Sequence, residues 1–265
     1  MDSLVFLKLG GSLITDKTRP YIPRRRVLRR LAGEVRGALD VCPHMRLLIG
    51  HGSGSFGHQA AAVHGTRNGV QGGEAWRGFA EVATAAARLN RIVCDAFAEG
   101  GIPVLGLQPS ASAMCCDGTL VQLAMGPAEE ALRRGLVPLI YGDVALDQVR
   151  GGTIVSTEAL FAFMAGALQP QRILLAGVDA GVLDEAAGVV QRITPERLPE
   201  LRGVLGESQA IDVTGGMADK VISMVELVAE QPDLEVRIFS GLERGLVGRV
   251  LREPGFEAGT LIAAG

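Results

Sequence analysis

"LLIGHGSGSFGH", residues 47–58, joins an apolar run to a glycine-rich turn. A short continuous apolar run closed by glycine reads as a strand buried on both faces. Gly52, Gly54 and Gly57 fall in a G-x-G-x-x-G pattern, the spacing of a dinucleotide-binding turn. That turn belongs after the first strand of a βαβ unit, with an acidic residue about 20 residues further on closing the next strand. Here it follows the second strand, and Glu74, at about the right separation, opens a helical pattern instead. The glycines are therefore read as a loop whose backbone N–H groups can approach an anion.

Two further loops of the same kind lie outward from it. Toward the N-terminus, "KLGGSLITDK" ends a strand in Gly10-Gly11-Ser12, with Lys8 before the turn and Lys17 after it. Toward the C-terminus, "TGGMADK" places Lys220 four residues beyond Gly216. Lysine is a mobile point charge that can follow a phosphoryl group in transit. Anion loops on two consecutive strands, with a third in the C-terminal half, fit two phosphate-bearing ligands that face each other. That is the layout of a phosphoryl transferase. The chain contains no Walker A motif, so it is not a P-loop kinase. His58, at the end of the second loop, can donate a hydrogen bond to a phosphate. His44, His51 and His64 are read as surface or structural residues.

The rest of the chain alternates strand and helix. Strands are expected at 4–9, 46–50, 102–107, 136–143, 172–179 and 235–241, with a closing strand in "GTLIAA". Helical spacing runs through Val27, Leu28, Leu31, Val35 and Leu39, then over 74–98 and 158–168, and again through Val221, Met224, Val225 and Val228. The segment "ERGLVGRVL" adds another helix. Hairpin turns are expected at Asp117-Gly118 and Arg150-Gly151-Gly152. Continuous apolar strands alternating with helices give an α/β fold, an open αβα sandwich around a mainly parallel sheet.

Bulk properties narrow the function. Of 265 residues 48% are hydrophobic, enough for a large core, and the net charge of −3 carries no basic excess that would suit nucleic acid. Arg24, Arg25, Arg26, Arg29 and Arg30 read as a solvated helix face. Cys42, Cys94, Cys115 and Cys116 show no CxxC spacing and are expected as reduced thiols of a cytoplasmic protein. Neither a signal peptide nor a membrane span is expected.

These stretches, with "GIPVLGLQPSA", "YGDVALD" and "DVTGGMADK", resemble the amino acid kinase superfamily and, within it, the isopentenyl phosphate kinases. The "SFGH" ending is the most specific piece. The resemblance implies one amino acid kinase domain over 1–265, with an acceptor-binding part at about 1–150 and an ATP–Mg²⁺ part at about 151–265. It implies that Lys8, Gly10, Gly11 and Ser12 lie at the transferring phosphate and that Lys17 stabilises charge developing in transfer. Ser53 and Gly54 would line the join between substrate and nucleotide, and His58 and Thr157 would hold the acceptor phosphate. Asp179, Gly216 and Lys220 would contact ATP. The chain departs from the family pattern at Ser53, where glycine is usual, and at Ser156-Thr157-Glu158, where S-G-D is usual. It departs again at "AGVDAGV", in place of T-D-V-D-G. The implied reaction is transfer of the ATP γ-phosphoryl group to isopentenyl phosphate by a homodimer with no protein metal ligands. The helix carrying Phe79, Val82, Ala83 and Ala86 would wall an apolar tail pocket. Asp143 would orient a lysine or cap a strand end. The alternatives are a kinase of another small phosphate or phosphonate, as in fosfomycin kinases, and a non-catalytic anion- or nucleotide-binding member of the fold.

Overall fold

The structure is a computed structural model that describes residues 3–57, 65–184, 187–197 and 217–265. His58 and Gly216, two of the expected site residues, lie outside these. The elements in chain order are β1 (Ser3–Leu9), α1 (Gly11–Ile14), α2 (Arg25–Val41), β2 (Met45–His51), α3 (Gly72–Glu99), β3 (Val104–Gly106), β4 (Met114–Cys116) and β5 (Thr119–Gln122). They continue with α4 (Gly126–Arg133), β6 (Val137–Tyr141), β7 (Asp143–Asp147), β8 (Gly151–Val155), α5 (Thr157–Leu168), β9 (Arg172–Gly177) and β10 (Arg192–Ile193). The last are α6 (Met217–Glu230), β11 (Glu235–Ser240), α7 (Leu246–Arg252) and β12 (Thr260–Ile262). Residues 54–57 form a further helical turn.

Among the described residues the main sheet has the order β10-β12-β11-β9-β1-β2-β6-β3. Every neighbouring pair is parallel except β11 with β12. The sheet is covered on both faces. Val5, Leu7 and Leu9 of β1 point to the face packed by α2, α3 and α7. Leu4 and Phe6 point to the opposite face, packed by α4, α5 and α6. The alternation follows from the two-residue repeat of a strand. The αβα sandwich read from the sequence is the observed fold.

One expected strand is not observed as such. The run at 136–143 divides at Gly142 into β6, which stays in the main sheet, and β7, which starts a second sheet of order β5-β4-β7-β8. An apolar run shows that a strand is buried but not which ladder it joins, so the division was hidden. Both hairpins form, but the second turns at 148–150 rather than at Arg150-Gly151-Gly152, because Gly151 and Gly152 already pair with Asp147 and Leu146 as the start of β8. Asp117 and Gly118 both adopt positive φ, 49° and 83°, as a two-residue turn requires. One carboxylate locks both hairpins: Asp147 accepts backbone N–H bonds from Asp117 and Gly118 in one turn and from Val149 and Arg150 in the other.

β1 sits at the centre of the main sheet, with β2 on one side and β9 on the other. The chain runs outward from it in both directions, so the crevice beyond the carboxyl ends of these strands is where a ligand fits an open parallel sheet.

Candidate active site

A cavity of about 370 Å³ opens at that crevice. β1 delivers Lys8 and, beyond it, Gly11 and Ser12; β2 delivers Gly52, Ser53 and Gly54; α5 delivers its first turn, Ser156 to Ala159. Lys17 and Lys220 also line it. Three loops and helix starts far apart in sequence thus converge on one space.

The two glycine loops touch backbone to backbone. A Cβ on Gly11 would lie 2.5 Å from the Gly54 nitrogen, so glycine is required there by contact. The Gly11, Ser12, Ser53 and Gly54 amides donate no hydrogen bond to any described residue. Two N–H groups from each loop are left for an anion, and the first turn of α5 adds a helix N-terminus beside them. Gly10 plays a different part. Its N–H donates to Ala176 O at 2.8 Å and its carbonyl accepts from Leu13 and Ile14, so it shapes the loop without lining the cavity.

Lys8 continues the Leu4–Phe6 side of β1, the side that faces α5. Its ammonium pairs there with the carboxylate of Glu158, and both groups are buried. Burial pushes the Lys8 ammonium below its ordinary range, and Lys220 adds to this, against the pull of Glu158. Burial pushes the Glu158 carboxyl up, but the charges of Lys8 and Lys220 more than reverse it, so its pKa lies below the ordinary value. Lys220 is near enough for its charge to be felt by both. Glu158 is thus the residue that orients a lysine, the role sequence reading had offered to Asp143. Asp143 instead accepts from Ser110 N at 3.1 Å and from its own neighbour Val144 at 2.9 Å. It lines the cavity, and burial pushes its carboxyl up.

Thr157 reaches the cavity wall, but its hydroxyl donates to the His51 carbonyl at 2.7 Å. It is fully buried, and its methyl fills the space left by Gly50. Ser156 caps α5, its Oγ accepting from Ala159 N. The usual glycine of the family pattern is therefore replaced by a residue that ties α5 to β2. His51 itself is buried. Its Nδ1 faces the Gly52 carbonyl and its Nε2 the side chain of Asn90, at 3.1 and 3.2 Å, and its ring stacks on Tyr141.

Val82 and Ala86 of α3 and Ile154 and Val155 of β8 contribute apolar side chains to the lining, which also includes Asp143, Thr153, Arg67 and Arg150. Asp179 is exposed on the loop after β9, outside the cavity lining. Of the expected site residues, then, Lys8, Gly11, Ser12, Lys17, Ser53, Gly54, Thr157 and Lys220 come together. Sequence reading missed Glu158, because its partner lies 150 positions away.

Comparison with known proteins agrees with this geometry. The model of the amino acid kinase family matches residues 3–240. The isopentenyl phosphate kinase of Haloferax volcanii is 39% identical over 228 residues, covering 86% of this chain and 89% of that protein. The isopentenyl phosphate kinase of Methanocaldococcus jannaschii is 32% identical over 228 residues, covering 82% and 85%. The chain belongs to the amino acid kinase family and, within it, groups with the isopentenyl phosphate kinases. A solved isopentenyl phosphate kinase structure superposes with a TM-score of 0.83 at 28% identity, covering 98% of this chain and all of that one. For a member of this family, the convergence of Lys8, Lys17 and Lys220 on two facing glycine loops is the arrangement a phosphoryl group needs in passing between two anions.

Proposed function

We propose that this kinase transfers the γ-phosphoryl group of ATP to the phosphate of isopentenyl phosphate, giving isopentenyl diphosphate. One observation carries the reading: four free backbone amides and three lysines line one cavity together with the apolar side chains of Val82, Ala86, Ile154 and Val155. The amides and lysines suit two phosphates and the apolar side chains suit a short branched hydrocarbon. The names of the relatives support the same acceptor.

The attacking group is a phosphate oxygen that is already anionic, so no general base has to remove a proton. The residues are left with positioning and charge neutralisation, which dominate phosphoryl transfer. In this reading the Gly11–Ser12 and Ser53–Gly54 amides cradle the phosphates on either side of the transferring group. Lys8, fixed by Glu158, holds the bridging region; Lys220 approaches from the nucleotide part, about 151–265, and Lys17 follows the charge on the moving group. His58 and Gly216 are proposed at the acceptor phosphate and the nucleotide respectively, and Asp179 on the nucleotide side.

No three metal-ligating side chains gather among the described residues. The two buried carboxylates lining the cavity are engaged, Glu158 with Lys8 and Asp143 with backbone amides. The site therefore fits a magnesium ion that arrives on the nucleotide and takes its ligands from phosphates and water, as this ion commonly does. When bound it would neutralise charge on the donor phosphates. We also infer a homodimer in the cytoplasm. Free, partly buried cysteines support the compartment, and the edge strand β3, with Leu105 exposed, supports pairing with a second copy.

ADP release measured with isopentenyl, dimethylallyl and geranyl phosphates and with fosfomycin tests the reading. The greatest kcat/KM is expected with isopentenyl phosphate. Release indifferent to it but stimulated by fosfomycin would assign a phosphonate acceptor, and no acceptor-dependent release would leave a binding protein.

A further inference from the structure

Thr15 lies at the end of α1, two residues before Lys17, and is fully buried. Its hydroxyl does two things. It donates to Gly11 O at 2.7 Å, and it accepts from Ser55 N at 2.9 Å. Gly11 belongs to the first glycine loop and Ser55 to the second. A hydroxyl is one of few side-chain groups that can donate and accept at once. The spacing fits it closely, because a side chain on Gly54, whose φ is +49°, would overlap the Thr15 hydroxyl and methyl.

The same segment is held on both flanks. Arg24 N donates to Ile14 O and Asp16 N to Ile22 O, which closes residues 16–22 into a loop pinned at its base. Tyr21 in that loop packs edge-on against Phe56, directly after Ser55, with ring centroids 5.5 Å apart. Lys17 therefore hangs from a loop anchored to the second glycine turn at two places, Thr15 on Ser55 and Tyr21 on Phe56.

We propose that Thr15 is a positioning residue that joins the two glycine loops, so that the free amides of both, and Lys17 with them, form one rigid cradle for the transferring phosphoryl group. The argument is geometric. The bonded atoms, Gly11 O and Ser55 N, belong to the same two turns as the free amides of Gly11, Ser12, Ser53 and Gly54. Each ligand can occupy its own loop whether or not the loops are joined. The transition state alone requires the free amides of both loops in register around one phosphoryl group. A hydroxyl that fixes their separation therefore acts on turnover more than on either binding step. This inference rests on the proposed kinase reaction for its kinetic arm only.

The test compares Thr15→Val, which keeps the shape and removes both hydrogen bonds, with Thr15→Ser, which keeps the hydroxyl. With ATP and isopentenyl phosphate, Thr15→Val is expected to lower kcat by about 10- to 100-fold, the scale of an ångström-sized misplacement. Both KM values should stay within about threefold, and Thr15→Ser should recover most of kcat. A second arm uses amide hydrogen exchange with a non-hydrolysable ATP analogue and no acceptor. In the wild type the analogue should slow exchange over 10–12 and over 52–55 together. In Thr15→Val the two segments should respond separately, with Ser55 exchanging faster. Unchanged kcat in Thr15→Val, a serine variant as impaired as the valine one, or coupled protection that survives in Thr15→Val would each overturn the proposal. The exchange arm needs no acceptor. If wild type ignores isopentenyl phosphate yet shows coupled protection, the acceptor reading fails and the cradle stands.

Discussion

Lys8 and Glu158 form a buried ion pair that fastens the end of the central strand to the first turn of α5. Breaking such a pair from one side leaves a charge in a poor solvent, at a cost of about 3–5 kcal/mol unless that charge is shed. Glu158→Gln removes the pull that opposes burial and the repulsion of Lys220. Lys8 should then lose its proton at a lower pH than in the wild type. We expect kcat to fall roughly 100-fold where Lys8 is neutral, the scale of losing one oriented donor to a developing anion. Part of it should return as the pH is lowered and Lys8 is protonated again. A pH–rate profile of the variant parallel to that of the wild type would show that Glu158 does not set the charge of Lys8.

Lys17 is exposed and lines the cavity without an ion-pair partner among the described residues. Lys17→Ala should lower kcat far more than it raises either KM, as for an interaction made mainly in the transition state. His58→Ala should behave differently. Losing a hydrogen bond to a charged phosphate costs about 1.5–3 kcal/mol, or roughly 10- to 150-fold in kcat/KM for the acceptor. The KM for ATP should change little. A fall in ATP affinity with intact acceptor kinetics would exchange the two sides of the site.

The usual glycine at position 157 cannot simply be restored. Thr157→Gly removes the bond to the His51 carbonyl and empties the space beside Gly50. We expect a loss of about 2–3 kcal/mol, read as a fall of roughly 5–10 °C in Tm. Thr157→Ser should lose less. Because the hydroxyl is committed to His51, Thr157→Val should leave the KM for isopentenyl phosphate within about twofold. A large rise in that KM would give the hydroxyl to the substrate instead.

His51 titrates far from its ordinary range. Burial lowers its pKa to about 4, against smaller upward contributions from Gly52 and Asn90. The unfolded chain, with a histidine near 6.5, binds more protons than the folded chain between these values. The stability contributed is therefore complete above about pH 6.5 and is lost as pH falls toward 4. Its size is roughly 3 kcal/mol, from about 1.4 kcal/mol per unit. Thermal melts of the wild type between pH 6.5 and 4 should fall more steeply than those of His51→Gln. Parallel curves would place the acid sensitivity elsewhere.

Much of this was legible in the chain itself. Glycine turns after apolar runs located both anion loops, because backbone approach to an anion demands glycine at a few positions and lysine beside them. The two-residue repeat of β1 even determines that Lys8 points to the α5 side. The sequence was silent where meaning depends on distant partners. Nothing near Glu158 or Thr15 distinguishes them from a helix-start acid or a helix-end threonine, since what they touch is brought in by the fold. The break at Gly142 was hidden for a related reason: both halves of the run are apolar and buried, and only the ladder each joins tells them apart.

That break has a consequence for how the molecule can change. Lys8 lies on a strand of the main sheet and both glycine loops follow its strands, whereas Thr153 to Val155 and the Arg150 and Asp117 turns, which complete the cavity, belong to the small one. β6 of the main sheet passes into β7 of the small one at a single residue, Gly142, and Asp147 holds the small sheet's two turns together from inside. On the proposed reading, Lys8 and the glycine loops belong to one ladder and part of the acceptor pocket to the other. Lengthening or exchanging the 117–118 and 148–150 turns while keeping Asp147 would redraw the far end of the pocket and leave the transfer machinery in place, so one engine could be refitted to many acceptors.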